Sequence, residues 1–277
     1  MKKALFCLGV LLSYLMACTE NPFGGDEISQ GNRLIKGKVR VNDATPENVY
    51  VWLEGFNLSA RTDNEGNFQI VLPPPSGQSS AGGVNGIFKM YFYLANYHLQ
   101  SIELAVQDGE FLYSQGPVNS KGELNTPVFL TSFLKIETRV EPSSVNQNSI
   151  QPIGVFVKLT AVKDSVTVIN PRATGGFLGA AFLRNKDTGE VFIVRSSDST
   201  INEEILVTRE PVERSLIFNL TRYPLTVGKY EVIPFILVRH EPVPENLIRS
   251  LGKNVEDLNP AYLSLPFKRQ EALLEIF

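Results

Sequence analysis

Residues 33–54 read RLIKGKVRVNDATPENVYVWLE, and residues 58–75 read LSARTDNEGNFQIVLPPP. Both stretches are written largely in a period of two. Residues 33–41 alternate, residues 48–54 set Val49, Val51 and Leu53 on one face, and residues 58–62 and 67–72 flank Asp63-Asn64-Glu65-Gly66. Successive side chains of a strand point to opposite faces, so alternation marks strands with one buried side. Asp, Asn and Gly accept tight-turn dihedrals, and the tetrapeptide reads as a turn rather than a calcium loop, whose twelve-residue ligand spacing is missing. Residues 87–95 and 99–106 add two more runs rich in β-branched and aromatic residues, and no helical period appears in this half. Short strands at regular spacing predict a β-sandwich. Residues 73–86 (PPPSGQSSAGGVNG) show no apolar pattern and read as a long loop, mobile rather than functional.

Working outward, residues 141–149 (EPSSVNQNS) read as a polar linker. A second strand-rich segment follows, with strands expected at 151–162, 164–169, 176–184, 190–195, 214–220 and 229–239 and a hairpin turn at Lys186-Asp187-Thr188-Gly189. The residues after 241 differ. Pro244 to Leu251 followed by Gly252 carries helix start and stop signals, and residues 270–277 fit either a helix or a final strand. No internal repeat is present.

Two resemblances give these segments a fold. Ile35, Gly37 and Val39, then Val49, Val51, Leu53 and Gly55, then Thr62, Asp63, Gly66, Phe68 and Pro73 match the successive motifs of the carboxypeptidase regulatory-like domain. The aromatic strand FKMYFYLANY resembles that family's later strand, with Asn96 where the family has Gly. The resemblance is clear over 33–75 and looser to about 136. It implies a transthyretin-like sandwich used as an accessory scaffold, with no reaction of its own. Residues 223–230 (YPLTVGKY) resemble the L-x-x-G-x-Y corner of immunoglobulin-like domains. The expectation is therefore all-β: two tandem β-sandwiches, transthyretin-like at 33–136 and Ig-like at 137–240, with a short, partly helical C-terminal tail at 241–277.

The first seventeen residues read MKKALFCLGVLLSYLMA: a positive start at Lys2 and Lys3, then an apolar run too short for a comfortable membrane span. Residues 15–18 (LMAC) resemble the lipobox of bacterial lipoproteins. The resemblance implies a signal peptide at 1–17, cleavage before Cys18 and lipid on its thiol. Two or more acyl chains make a stable anchor where one is marginal. The alternative is an ordinary secretory signal with an incidental cysteine. Cys7 and Cys18 are the only cysteines, so no disulfide is expected after processing, and residues 18–32 read as a Gly-rich polar tether. The expected location is a bacterial cell envelope, on the outer rather than the inner membrane.

Composition fits globular domains. The 277 residues are 43% hydrophobic and 20% charged, with a net charge of −3, or about −5 without Lys2 and Lys3. A mildly acidic chain with no basic stripe is a poor match for nucleic acid. Motifs for chemistry are wanting. The only histidines, His98 and His240, lie far apart in sequence, near no H-E-x-x-H helix, and read as solvated. Ser132-x-x-Lys135 and Ser250-x-x-Lys253 lack the companion motifs of S-x-x-K enzymes, and the chain has no G-x-S-x-G, P-loop or G-x-G-x-x-G. No catalytic residue, metal ligand or cofactor is expected.

One feature is sharp. If Val49, Val51 and Leu53 face inward, Tyr50 and Trp52 face outward; if Met90 and Phe92 face inward, so do Tyr91 and Tyr93 face outward. The transthyretin-like fold makes these strands neighbours, so Tyr50, Trp52, Tyr91 and Tyr93 share an outer face. Such a face suits sugar stacking or protein contact, or it is packing surface for the second domain or the tail. The expected function is a non-enzymatic, envelope-anchored binding or assembly module, held to the membrane through Cys18 and meeting an envelope protein or glycan. A structural subunit of a fimbria-like assembly and an envelope hydrolase with an unrecognised site are the alternatives.

Overall fold

The computed structural model describes residues 31–196 and 201–277. The expected signal peptide at 1–17, the lipidation site Cys18 and all of the tether before Gly31 lie outside the described residues. What is described is an all-β architecture with a short helical segment near its C-terminal end.

The first eight strands are β1 (Leu34–Val41), β2 (Tyr50–Leu53), β3 (Leu58–Arg61), β4 (Asn67–Val71), β5 (Gly86–Tyr93), β6 (Gln100–Gln107), β7 (Glu110–Phe111) and β8 (Val128–Leu130). They form a five-stranded sheet, β3-β2-β5-β6-β7, and a three-stranded sheet, β4-β1-β8. Strands β2 and β5 pair antiparallel, with Tyr50 opposite Tyr93, Val51 opposite Phe92 and Trp52 opposite Tyr91. Alternation then sorts the side chains. Val51, Leu53, Met90 and Phe92 join Ile35 and Ile70 in one core, where Phe68 meets Phe92 edge-on with centroids 5.5 Å apart.

The other strands are β9 (Leu134–Glu141), β10 (Ser144–Val145), β11 (Ile153–Ala161), β12 (Val166–Pro171), β13 (Ala180–Asn185), β14 (Val191–Arg195), β15 (Asn202–Val207), β16 (Val212–Phe218), β17 (Gly228–Pro234), β18 (Leu237–Arg239) and β19 (Leu273–Ile276). A five-stranded sheet, β10-β19-β17-β13-β14, and a three-stranded sheet, β16-β11-β9, share a second core that includes Val155, Val157, Leu183, Leu216, Val232 and Leu274. A small sheet, β15-β12-β18, adds Val166, Val168 and Val207 to it. Tyr230 is fully buried, and its hydroxyl donates back to the Thr226 carbonyl at 2.9 Å, the bond that defines a tyrosine corner.

The expected segment boundaries need correction. A boundary between 136 and 137 would cut β9, which pairs along its length with β11. Residues 141–149 are not a free linker: β10 pairs in parallel with β19, and the Gln147 N–H donates to the Phe277 carbonyl at 2.8 Å. The link between sandwiches is the short stretch 131–133 between β8 and β9. Nor is 241–277 a separate tail, because β19 lies between β10 and β17 in the second sandwich. Residues 240–272 are thus an insertion between β18 and β19. Helix α1 (Glu245–Leu251) falls where the start and stop signals put it, between Pro244 and Gly252, whose φ of +145° suits glycine. A 3-10 turn, Pro260–Ser264, follows.

Candidate functional site at the seam between the sandwiches

The aromatic face has the expected parity and is covered. Tyr50, Trp52 and Tyr93 point away from the first core, but they are only 4%, 2% and 7% exposed, and Tyr91 is half-buried. They belong to a third core with Ala180, Phe182, Ile233 and Phe235 from the outer face of the second sandwich, and Leu247 and Tyr262 from the insertion. Of the two readings of Tyr50, Trp52, Tyr91 and Tyr93, the structure shows the packing surface for the second sandwich and the insertion, and the open binding face is set aside. The reason is apolar area: each aromatic withdraws on the order of 150–250 Å² from water, and the neighbouring sheet and insertion offer a matching apolar wall.

Polar ends are satisfied within the seam. The Tyr50 hydroxyl meets Ser250 Oγ at 2.9 Å, and Trp52 Nε1 donates to Asn57 Oδ1 at 3.0 Å. Arg61 lies over the Tyr50 ring, 5.4 Å from its centroid, and donates to the Ser264 carbonyl at 2.8 Å. Tyr262 stacks on Phe182 with centroids 5.2 Å apart and donates to the Ile236 carbonyl at 2.7 Å. Burial pushes the Tyr262 phenol up to about 12 and raises that of Tyr93, on which Glu256 also acts.

Asn96, just after β5, is a staple. It is 2% exposed, and its amide nitrogen donates to the carbonyls of Leu134 at 3.0 Å and Lys268 at 2.7 Å. Its amide oxygen accepts from the Lys268 N–H at 3.0 Å, and its own carbonyl accepts from the Phe133 N–H at 3.2 Å. One side chain thus joins the end of β5, the start of β9 and the insertion.

The seam has two wide openings. One is a groove of 980 Å³ along the insertion, lined by Tyr93, Val238, Ile248 and Val255 together with charged residues including Arg239, Arg249, Lys253 and Glu245. At its edge the two histidines, expected to stand apart, come together: their ring centroids are 5.4 Å apart, and both rings lie against Phe133. Glu241 accepts from the Leu99 N–H and lies 3.3 Å from His98 Nδ1. Among the described residues, no group of three or more His, Cys, Asp or Glu is arranged to hold a metal. The other opening is a cleft of 660 Å³ where both sandwiches and residues 263–271 meet.

The remaining sequence candidates are structural. Ser132 Oγ accepts from Asn42 at 3.3 Å and lies 3.5 Å from Asp43, while Lys135 reaches Asp43 rather than the serine. Ser250 Oγ donates to the Leu247 carbonyl at 2.6 Å, within α1. The loop at 73–86, expected to be mobile, is tied down by Gln78, whose amide donates to the Pro73 and Gly109 carbonyls and accepts from the Val84 N–H. Searches of protein-family models and of curated proteins find no match to the chain.

Proposed function

We propose that the chain is a non-enzymatic binding or assembly module of a bacterial cell envelope, anchored by lipid on Cys18. The observation that carries this reading is the third core. It joins the two sandwiches through a continuous apolar seam and leaves two openings at its margins, one of mixed apolar and charged lining and one mainly polar. A module that presents a surface at fixed geometry needs that kind of joint. The tether side agrees: the Phe111 N–H donates to the Asn32 carbonyl at 2.7 Å, so the chain enters the fold at the edge strand β7 of the first sandwich, and the second sandwich follows. The β2–β5 pairing and the Tyr230 corner support the transthyretin-like and Ig-like resemblances.

The test is the intact mass of membrane-extracted protein, with crosslinking and pulldown from whole cells to follow. A mature chain that starts at an acylated Cys18 is expected. An unmodified N-terminus, or a Cys18→Ser chain that stays quantitatively in the membrane fraction, overturns the anchored reading.

A further inference from the structure

The cleft of 660 Å³ has an unequal distribution of charge partners. Its carboxylates are each matched: Asp43 lies 3.9 Å from Lys135, Glu137 lies 3.1 Å from Lys158, Glu231 pairs with Arg184, and Glu271 lies 2.6 Å from Lys186. Two cations on the same wall, Lys268 and Arg269, form no ion pair among the described residues. Lys268 Nζ donates to the Glu47 carbonyl, a neutral partner, at 2.5 Å. The Arg269 guanidinium lies 5.8 Å from the Phe267 ring centroid and faces the Tyr262 phenol, with Glu231 and Arg184 farther off in its field.

Burial works against both charges. It is the leading reason why both groups hold their protons less firmly than in water. The Glu47 carboxylate acts on Lys268 and that of Glu231 on Arg269, but neither touches its cation, and a cation set into a protein wall without a carboxylate in direct contact is destabilising unless something offsets it. Two such cations are adjacent in sequence, in a cleft that also offers the Thr45 hydroxyl and the Asn48 amide on the opposite sandwich.

We propose that this cleft binds an oxyanion, the carboxylate or phosphate group of a small ligand, with Arg269 and Lys268 as its principal partners. The guanidinium fork matches two oxygens of such a group, and the lysine adds a point charge. Thr45 and Asn48 supply neutral donors from the first sandwich, so an occupied cleft bridges both sandwiches and the insertion. The proposal rests on the reading of the chain as a binding module and gives that module a ligand chemistry.

Full mature protein is titrated at constant ionic strength with sodium phosphate and, separately, with sodium glucuronate, using sodium chloride as the reference. Calorimetry and melting temperature are the readouts. Saturable binding of at least one oxyanion, with a rise in Tm over chloride, is the expected result; which probe binds identifies the group. Arg269→Met and Lys268→Met should each weaken it about tenfold, the loss of one charge-assisted hydrogen bond. Lys121→Met, an exposed cation that does not line the cleft, should leave it unchanged. If Arg269→Met fails to fold, Lys268→Met decides. Absence of saturable binding for both probes, or undiminished binding by a folded Lys268→Met or Arg269→Met chain, overturns the proposal. Failure of the lipid anchor would show in the Cys18→Ser fractionation and would leave this titration untouched.

Discussion

Replacing Asn96 with alanine should unfasten the seam. The substitution deletes three side-chain hydrogen bonds, to the Leu134 carbonyl, the Lys268 carbonyl and the Lys268 N–H, at a position 2% exposed. A buried polar group left without a partner costs about 1–3 kcal/mol. Lys268 is half-buried and can regain water, whereas Leu134 is fully buried. The expected loss is therefore about 3–5 kcal/mol rather than the full threefold sum. Trp52, the only tryptophan, sits in the third core and reports the seam by fluorescence, while far-UV circular dichroism reports the strands. In urea, Asn96→Ala should unfold earlier by both signals, with the tryptophan transition leading. Asn96→Gly separates bonding from conformation. Asn96 is not among the positive-φ residues, so glycine brings no relief of strain and adds roughly 0.5–1 kcal/mol of further loss. A loss below about 1 kcal/mol in Asn96→Ala, or a gain in Asn96→Gly, would refute the staple.

Trp52→Ala should behave as a core truncation and cost about 3–5 kcal/mol, and acrylamide should quench native Trp52 poorly; efficient quenching would mean an open face. Alkali should loosen the seam. Because burial raises the folded Tyr262 phenol to about 12 from its ordinary 10.0, the native state holds its proton more tightly than the unfolded chain. That stability is complete below pH 10 and is lost as pH rises towards 12, which absorbance at 295 nm and melting curves should follow together. Limited proteolysis should spare residues 141–149, where β10 is held by β19; a first cut there would contradict the pairing.

Strand parity was legible because a period of two needs only local residues. It correctly separated Val51, Leu53, Met90 and Phe92 from Tyr50, Trp52 and Tyr93. What lies on the far side of a sheet is not local. The covering wall comes from residues 180–182, 233–235 and 247–265, and only a hint of it is written in the chain: Ala180 to Leu183 and Val232 to Ile236 are unbroken by polar residues, as strands buried on both faces are. Polar outer faces misled the boundary. Strand β9 alternates Lys135, Glu137, Arg139 and Glu141 with buried partners, and the residues that follow it look like a linker. Strand β15 is not legible in the sequence because Glu203 and Glu204 interrupt its apolar alternation, and β7 and β10 are two residues long. The histidine pair and the Lys268–Arg269 wall join segments more than a hundred residues apart, for which a single sequence carries no spacing signal.

The insertion between β18 and β19 also sets an order of events during synthesis. The first sandwich can close its own core once β8 has emerged, yet its aromatic outer face must wait for residues 180–182 and 233–235 of the second sandwich and, for full cover, residues 245–265. The second sandwich waits longer still, since β19 follows every other strand of its sheet and belongs between two of them. Until its covering residues emerge, the growing chain therefore presents Tyr50, Trp52 and Tyr93 to water. Such a surface is open to adventitious partners until residues 245–265 arrive to complete its cover.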